Sequence, residues 1–325
     1  MRERQARIAH VAEEDDLGLL LRYGADCIGA VGVLPTVDEN PSPFGANEIA
    51  SPGRTVSGVQ RKLLVVRDET ANAYRPATAT GPAPYIAKFN SDARPTLVRN
   101  ESLSLRWVKA LLGADEVTGF QLDQVAELDE VALIVTRFDR TPDGQKLRAE
   151  DFAQILCKPR GADYGGKYEA SYEEAAQVIR AHSVRPEIDL ARFFRRLLAF
   201  VLVANGDAHL KNFTLLERPE GLRLSPVYDV VNVGIYANEG VSQQFALAIG
   251  GAFVNLDAVT RPVLVAFGER IGLSKIVIGR TFHNIKSRAS QTQTLLPSAT
   301  DEGRDQFGVR YAEIVRNGCL RLLDD

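Results

Sequence analysis

Residues 187–206, EIDLARFFRRLLAFVLVANG, constrain the fold more than any other part of the chain. Leu190, Phe194, Leu197, Leu198 and Val201 recur at i, i+4, i+7, i+8 and i+11, the spacing of a helix with one core-facing stripe. That helix is expected to end near Asn205-Gly206. Directly behind it, NGDAHLKNF (205–213) gathers Asp207, His209, Lys211 and two asparagine amides before a second apolar run, FTLL. Two short strands, FTLLE and LRLSP, are expected next, joined by a turn at RPEG. The stretch SPVYDVV then sets Asp229 beyond a strand.

Asp207 and Asn212 stand five residues apart, and Asp229 stands seventeen beyond Asn212. Phosphoryl transfer uses this inventory. One carboxylate accepts a hydroxyl proton, while an amide oxygen and a second carboxylate hold magnesium against phosphates. The protein-kinase catalytic loop has the same Asp-to-Asn separation between a helix and a hairpin, with its metal-binding Asp further on. A plainer role stays open for each residue alone, since Asx side chains commonly satisfy loop backbone groups. A loop histidine such as His209 commonly just hydrogen-bonds a carbonyl. The order helix, loop, hairpin, Asp favours the phosphoryl-transfer set.

Upstream, KLLVVRD and YIAKFN read as strands, separated by a loose ETANAYRPATATGPAP. Lys88 lies inside an otherwise apolar strand, where an unpaired charge is costly. It suits nucleotide phosphates, with Glu101 on the first turn of the next helix as its partner. An edge-strand surface lysine is the simpler alternative. RTVSGVQRK (54–62) offers small and hydroxyl residues just before a strand, where backbone N–H groups cradle phosphates; with one glycine it is a weak signal alone. NESLSLRWVKALLG reads as a helix capped by Asn100, with Leu103, Trp107, Ala110 and Leu111 on one face and Gly113 as its stop. FQLDQVAEL and EVALIVTRF form a hairpin turning at Asp129-Glu130. Residues 34–55 read as a long exposed loop. From about residue 148 the pattern turns helical, and Ser171 with Glu174 makes a capping box before SYEEAAQVIRAHS.

These signals give an α+β chain with a strand-rich lobe over 1–138 and a helical lobe over 139–325. An apolar fraction of 45% and a charged fraction of 25% fit an ordinary globular protein, and a net charge of −3 gives no global basic field for nucleic acid. Arg192, Arg195 and Arg196 read as a solvated helix face. Cys27, Cys157 and Cys319 have no metal-ligand spacing and read as free thiols in a reducing cytosol. Neither a secretory signal nor a membrane span is visible, so a cytoplasmic location is expected.

Taken in order, TVSGVQRKLLV, YIAKFN, NES, TRFDR, EDFAQILCKP with KYE, NGDAHLKNF, SPVYDVV and FALAIGG resemble the HipA-type serine/threonine kinases of bacterial toxin–antitoxin systems. The resemblance runs from about residue 17 to the C-terminus, and the combination is specific where single motifs are not. It implies a two-lobed kinase fold related to the phosphoinositide-kinase-like branch, use of ATP with magnesium, and phosphorylation of protein hydroxyls. Family targets include aminoacyl-tRNA synthetases.

Carried over by position, the resemblance implies Asp207 as catalytic base, with His209 and Lys211 in the same catalytic loop. Asn212 and Asp229 become magnesium ligands. Lys88 holds ATP phosphates, and Val56, Ser57, Gly58, Val59, Gln60 and Lys62 belong to the phosphate loop. Thr136, Arg137 and Phe138 meet adenine, and Tyr228 joins the nucleotide set. The family's inhibitory autophosphorylation serine falls on Thr55, with Ser57 two residues on; modification of Thr55, of Ser57 or of neither stays open. Thr136 departs from a glutamate in the best-known member, which matters little for contacts made through backbone groups.

Longer family members carry a β-rich subdomain before the segment matching DDLGLLLRYGADCIGAVGVLP, whereas about sixteen residues precede it in this sequence. The expectation is a split system, with a free-standing short kinase as its alternative. A separate small protein would cover Leu17, Leu19, Leu20, Leu21, Ile28, Val31 and Val33, beside a helix-turn-helix antitoxin that carries the DNA contacts. The alternatives are a lipid or small-molecule kinase, and a catalytically silent binding module within an antitoxin complex.

Overall fold

The structure, a computed structural model, describes residues 60–77, 83–126, 128, 130–141, 143–158, 168–296 and 305–323, together with Leu17. The loop expected over 34–55, Cys27, and the apolar N-terminal set other than the exposed Leu17 lie outside these residues. Two compact units are present. One takes the described residues through Val98 with Gly119–Ala149; the other takes Arg99–Thr118 with the described residues from Glu150 onward.

In the first unit, β1 (Lys62–Asp68), β2 (Ala73–Pro76), β3 (Tyr85–Lys88), β4 (Phe120–Val125) and β5 (Glu130–Thr136) close into a barrel in the order β1-β2-β4-β5-β3. Neighbours are antiparallel except β2 and β4, which meet in parallel at Tyr74 and Val125. Side chains alternate across a strand, so Leu63, Val65, Ala87, Ala132 and Ile134 share the filled interior with Tyr74, Phe89 and Val125. The same alternation sets Lys62 directly opposite Lys88, and Lys88 opposite Leu133, away from that cluster.

Two expectations need correction in this unit. The segment read as loose contains β2, a short strand whose one large apolar residue, Tyr74, lies edge-on to Tyr85 at 5.2 Å. A single tyrosine among polar residues shows no periodicity, and the strand exists because a barrel needs it to close. Glu130 is not a turn residue but the first of β5, opposite Val125.

In chain order the remaining helices and strands are α1 (Leu97–Leu112), β6 (Ala149–Asp151), α2 (Phe152–Ile155), α3 (Tyr172–His182), α4 (Pro186–Leu202), β7 (Thr214–Arg218), β8 (Gly221–Leu224), α5 (Arg261–Arg270), α6 (Lys275–Thr292) and α7 (Gln306–Glu313). Strands β6, β7 and β8 form a small sheet in that order. The capping box of Ser171 and Glu174 is present at the start of α3. Helix α4 takes Pro186 in its first turn, where the missing N–H costs nothing. All five residues of its expected stripe are buried, and so are Phe193 and Phe200. Phe193 packs on Phe213 at 5.0 Å between ring centres, within an aromatic group that includes Tyr172, Phe245 and Phe267.

Asn100 does not cap α1. The helix starts three residues earlier, and its early donor Val98 N bonds Asn90 Oδ1 at 2.8 Å. Asn100 is buried and clasps one distant residue from both sides: Nδ2 donates to Asn232 O at 3.0 Å, and Oδ1 accepts from Asn232 N at 2.9 Å. Glu101 therefore falls in the second turn, also buried. Leu103 and Ala110 are only half-buried, whereas Leu105, Trp107, Val108 and Leu111 are fully enclosed. Gly113, at φ 111°, ends the helix as expected.

The three arginines on α4 are not a solvated face. Arg192 Nε reaches both carboxylate oxygens of Glu116 at 3.0 Å, Arg195 reaches Oε1 at 2.6 Å, and Arg196 reaches Oε2 at 3.2 Å. Arg196 is 2% exposed. Local spacing reads three arginines as polar surface, and cannot know that a carboxylate some 80 residues earlier in sequence covers them. Asp189, fully buried, binds Arg192 and Arg223 and also accepts from Ser183 Oγ and Leu224 N. Burial pushes both carboxyls up, but the guanidiniums of Arg196, Arg192 and Arg195 hold Glu116 below the usual range. Asp189 is likewise held low against burial, by hydrogen bonds from Arg223, Ser183 and Leu224 N.

A carboxylate with a depressed folded pKa contributes stability that is present above its unfolded value, about 4, and lost as pH falls through the folded value. Stability is therefore expected to drop as pH falls below about 4. Asp189→Asn is expected to cost about 3 kcal/mol at pH 7, as for one broken partner of a buried pair, and to flatten the acid loss. Urea unfolding of both proteins across pH 3–7 checks this.

Candidate active site

The loop that carries Asp207 leaves α4 through Ala204, whose φ of 53° lies in the left-handed region. Gly206 follows, where an added Cβ would stand 2.9 Å from the carbonyl oxygen of Gln244, so the close approach of these two chain segments requires glycine. Alternate carbonyls of the loop are pinned to different parts of the unit. Ala204 O accepts from Val233 N at 3.0 Å, Gly206 O from Ala246 N at 2.8 Å, and Ala208 O from the Tyr172 hydroxyl at 2.9 Å. Between these anchors, Asp207 is exposed. Burial first, then the nearby Asp207 charge, pushes the Tyr172 phenol far above its ordinary range, so it stays a neutral donor.

The loop closes in a single 3-10 turn, Leu210–Asn212. His209 N donates to Asn212 Oδ1 at 3.0 Å, and Asn212 N returns a bond to His209 O at 2.9 Å. This clasp fixes the Asn212 amide, whose Nδ2 faces Asp229 Oδ2 at 3.4 Å. Asp229 itself has φ 56°, an uncommon conformation for a residue with a side chain. Tyr228 beneath it donates from its hydroxyl to Lys211 O at 2.6 Å and shares a 2.6 Å bond with Thr214 Oγ1. Burial, with the Asp151 and Asp229 charges adding to it, keeps that phenol protonated. Lys211 Nζ lies 3.3 Å from Asp151 Oδ2, and the buried Nδ1 of His209 has no hydrogen-bond partner among the described residues.

Asp207, His209, Lys211, Asn212, Tyr228 and Asp229 thus fall in one neighbourhood of the second unit. The donor set suits magnesium: a carboxylate and an amide oxygen are hard ligands on touching side chains, and Asn212 Oδ1 keeps a lone pair beyond the one used by His209 N. Among the described residues no group of three His, Cys, Asp or Glu forms a metal cluster. Two residues of this neighbourhood escaped the sequence reading. Asp151 carries a detectable mark, since it caps α2 in a box with Gln154, although its ion pair with Lys211 has no local sign. Tyr172 has none.

Lys88 and Lys62 lie in the first unit, buried and directly opposite one another. Gln60 Nε2 donates to Phe89 O at 3.1 Å. Thr55, Val56, Ser57, Gly58 and Val59 lie outside the described residues. At the end of β5, Thr136 N bonds Gly119 O at 2.8 Å and Arg137 N bonds Pro84 O at 2.9 Å. The Arg137 guanidinium is enclosed and forks onto Asp139 at 3.0 Å through both Nε and Nη2. Phe138 follows, partly buried.

The chain is similar to several known proteins. A kinase of the HipA type from Shewanella oneidensis, named Serine/threonine-protein kinase toxin HipA, is 26% identical over 96% of this chain and 78% of its own length. "Putative kinase Y4mE" of Sinorhizobium fredii is 26% identical over 91% of this chain and 76% of its own. Among solved structures, HipA of Shewanella oneidensis MR-1, in complex with HipB and operator DNA, superposes with a TM-score of 0.73 at 24% identity, covering 99% of this chain and 82% of that one. The Helicobacter pylori proinflammatory kinase CtkA gives a TM-score of 0.56 at 13% identity, covering 84% and 93%. These two superpositions establish an α+β, kinase-like fold. The model of the HipA-like C-terminal domain matches residues 54–292, and the chain belongs to that family.

Proposed function

We propose that this protein is an ATP-dependent protein serine/threonine kinase, acting as the toxin of a bacterial toxin–antitoxin system. The observation that carries the reading is the clasped Asn212 amide touching Asp229, beside an exposed Asp207 on a loop held at three carbonyls. In the reaction, the substrate hydroxyl oxygen bonds to the γ-phosphorus, the bridging bond to the β-phosphate breaks, and ADP leaves. Asp207 accepts the hydroxyl proton. Asn212 and Asp229 hold magnesium, which when bound offsets charge on the phosphate oxygens. Lys88 and Lys62 answer the remaining phosphate charge. Thr136 to Phe138 take the adenine through backbone groups, and Tyr228 braces the loop from below.

The complex of HipA of Shewanella oneidensis MR-1 with HipB and operator DNA supports an antitoxin as partner; a small protein on the N-terminal segment is a further part of the proposal. A protein target such as an aminoacyl-tRNA synthetase and a cytoplasmic location complete the proposal. Among the described residues no helix is long and apolar enough to cross a membrane. Purified protein with labelled ATP and cell lysate tests the activity. A labelled protein band supports a protein kinase, label confined to the organic extract supports a lipid kinase, and absence of turnover refutes both.

Asp207→Gln is expected to lower turnover by roughly 10²–10⁴, the range of general-base contributions, with the melting temperature unchanged because the side chain is exposed. A variant retaining a tenth of wild-type turnover removes Asp207 from the role of base.

Thr55 and Ser57 are expected to form a self-inhibitory switch, since a phosphate adds about −1.5 to −2 charges to a loop that must accept ATP phosphates. Wild type preincubated with ATP should lose activity, whereas Thr55→Ala with Ser57→Ala should keep it. Equal decay in the two proteins rules the switch out.

A further inference from the structure

From Leu224, the last residue of β8, to Val227, four of the seven backbone polar groups are tied to Glu116, to the arginines around it, or to Asp189. Leu224 N donates to Asp189 Oδ2 at 3.0 Å, and Leu224 O accepts from Arg192 at 3.4 Å. Ser225 O accepts from Arg196 at 2.5 Å, and Ser225 N donates to Thr214 O at 2.9 Å. Pro226 has no N–H, and its carbonyl takes the Ser225 hydroxyl at 3.0 Å. Val227 N donates to the carbonyl of Glu116 itself at 2.8 Å, and Val227 O accepts from Thr118 N at 3.0 Å. Two residues later comes Asp229 in its left-handed conformation.

Glu116 therefore holds this segment twice. Its backbone carbonyl pairs with Val227, and its carboxylate gathers three guanidiniums, two of which donate to the carbonyls of Leu224 and Ser225. Without that carboxylate, Arg192, Arg195 and Arg196 would repel one another on one side of α4 and lose the orientation that meets those carbonyls. A purely structural charge cluster would have no need to end on the chain that delivers a proposed metal ligand.

We infer that Glu116 is a positioning residue for Asp229, setting through Arg192, Arg196 and its own backbone the strand end from which that carboxylate emerges. The inference rests on the proposed phosphoryl-transfer site for its meaning, and on the observed hydrogen bonds for its geometry. Asp229 left in the αL conformation without this hold would relax toward commoner backbone angles and move its oxygens away from Asn212. Outer-shell partners of metal ligands typically change metal affinity by roughly 10–100-fold when removed.

The test uses the full chain and the variant Glu116→Gln, with two readouts. One is amide hydrogen exchange at Val227 and Asp229; the other is the Mg²⁺ concentration that half-saturates tightening of a fluorescent ATP analogue. In a folded variant, exchange at these two amides is expected to quicken while β7 and α3 keep their protection. The Mg²⁺ requirement is expected to rise roughly tenfold, with analogue binding in EDTA unchanged. Unchanged exchange, or exchange quickened uniformly across the unit, overturns the inference, as does an unchanged Mg²⁺ requirement. Should Glu116→Gln fail to fold, Arg192→Gln removes the guanidinium that joins Glu116 to the Leu224 carbonyl and is read by the same criteria. Wild-type protein that shows no Mg²⁺-dependent binding refutes the kinase reading instead, and exchange at Val227 then decides the clamp alone.

Discussion

Four arginines and two carboxylates are drawn out of water around α4, and the second unit is organised by how those charges are matched. Taking a charge from water costs several kcal/mol even after relaxation, and pairing repays this only with good geometry and full hydrogen bonding. Asp189 meets that condition: both oxygens are engaged by two arginines, a serine hydroxyl and a backbone N–H. Glu116 has both oxygens engaged by three guanidiniums, although Arg195 Nε and Arg196 Nε have no hydrogen-bond partner among the described residues. Packed apolar residues would serve stability as well. What they would not do is dictate which carbonyl each arginine meets, and that specification connects the buried charges to the loop chemistry.

Two of the four non-glycine residues with positive φ among the described residues lie at the candidate site. Ala204 and Asp229 both adopt positive φ without being glycine, at a cost of order 1–3 kcal/mol each. Ala204 turns the chain out of a deeply buried helix within one residue, and its carbonyl is taken by Val233 N at 3.0 Å. Asp229 redirects the chain after the clamped segment that follows β8. Strained residues persist only where their surroundings over-determine them, and the anchors on either side of each residue meet that requirement. The aromatic group below adds stiffness, because Tyr172 buries its ring against Phe193, Phe213, Phe245 and Phe267 while its hydroxyl reaches Ala208 O.

Much of this was legible in the sequence because it depends on short-range spacing. The stripe on α4, the capping box at Ser171, the stop at Gly113, the hairpin of β7 and β8, and the grouping of Asp207, Asn212 and Asp229 all follow from residues near one another in the chain. What was missed depends on contacts between residues far apart in sequence. Asn100 has the composition of a cap, yet it serves Asn232 in a tertiary clasp, so the helix runs past it. Arg192, Arg195 and Arg196 have the spacing of a wet surface and became a buried cluster because Glu116 arrives from elsewhere. β2 carries almost no intrinsic strand signal and forms because the barrel supplies partners on both edges.

The composition of the candidate metal site bears on when it can function. Mg²⁺ favours six oxygens in near-octahedral geometry and gives up its waters reluctantly. Asn212 and Asp229 offer one amide oxygen and one carboxylate, and a single carboxylate neutralises half of the ion's charge. The other ligands and the other half of the charge must come from groups that arrive with the metal, and nucleotide phosphates supply both. On the proposed reading, metal and nucleotide are mutually dependent at this site: each lowers the cost of binding the other, by the same coupling free energy in either direction. The rigid setting of Asp229 gains its value from this dependence. With Asn212 and Asp229 as the two proposed protein ligands, a displacement of one alters half of the geometry that this pair imposes. On the proposed reading, a site so sparsely furnished needs its few groups held firmly, which is the role inferred for the buried charges around α4.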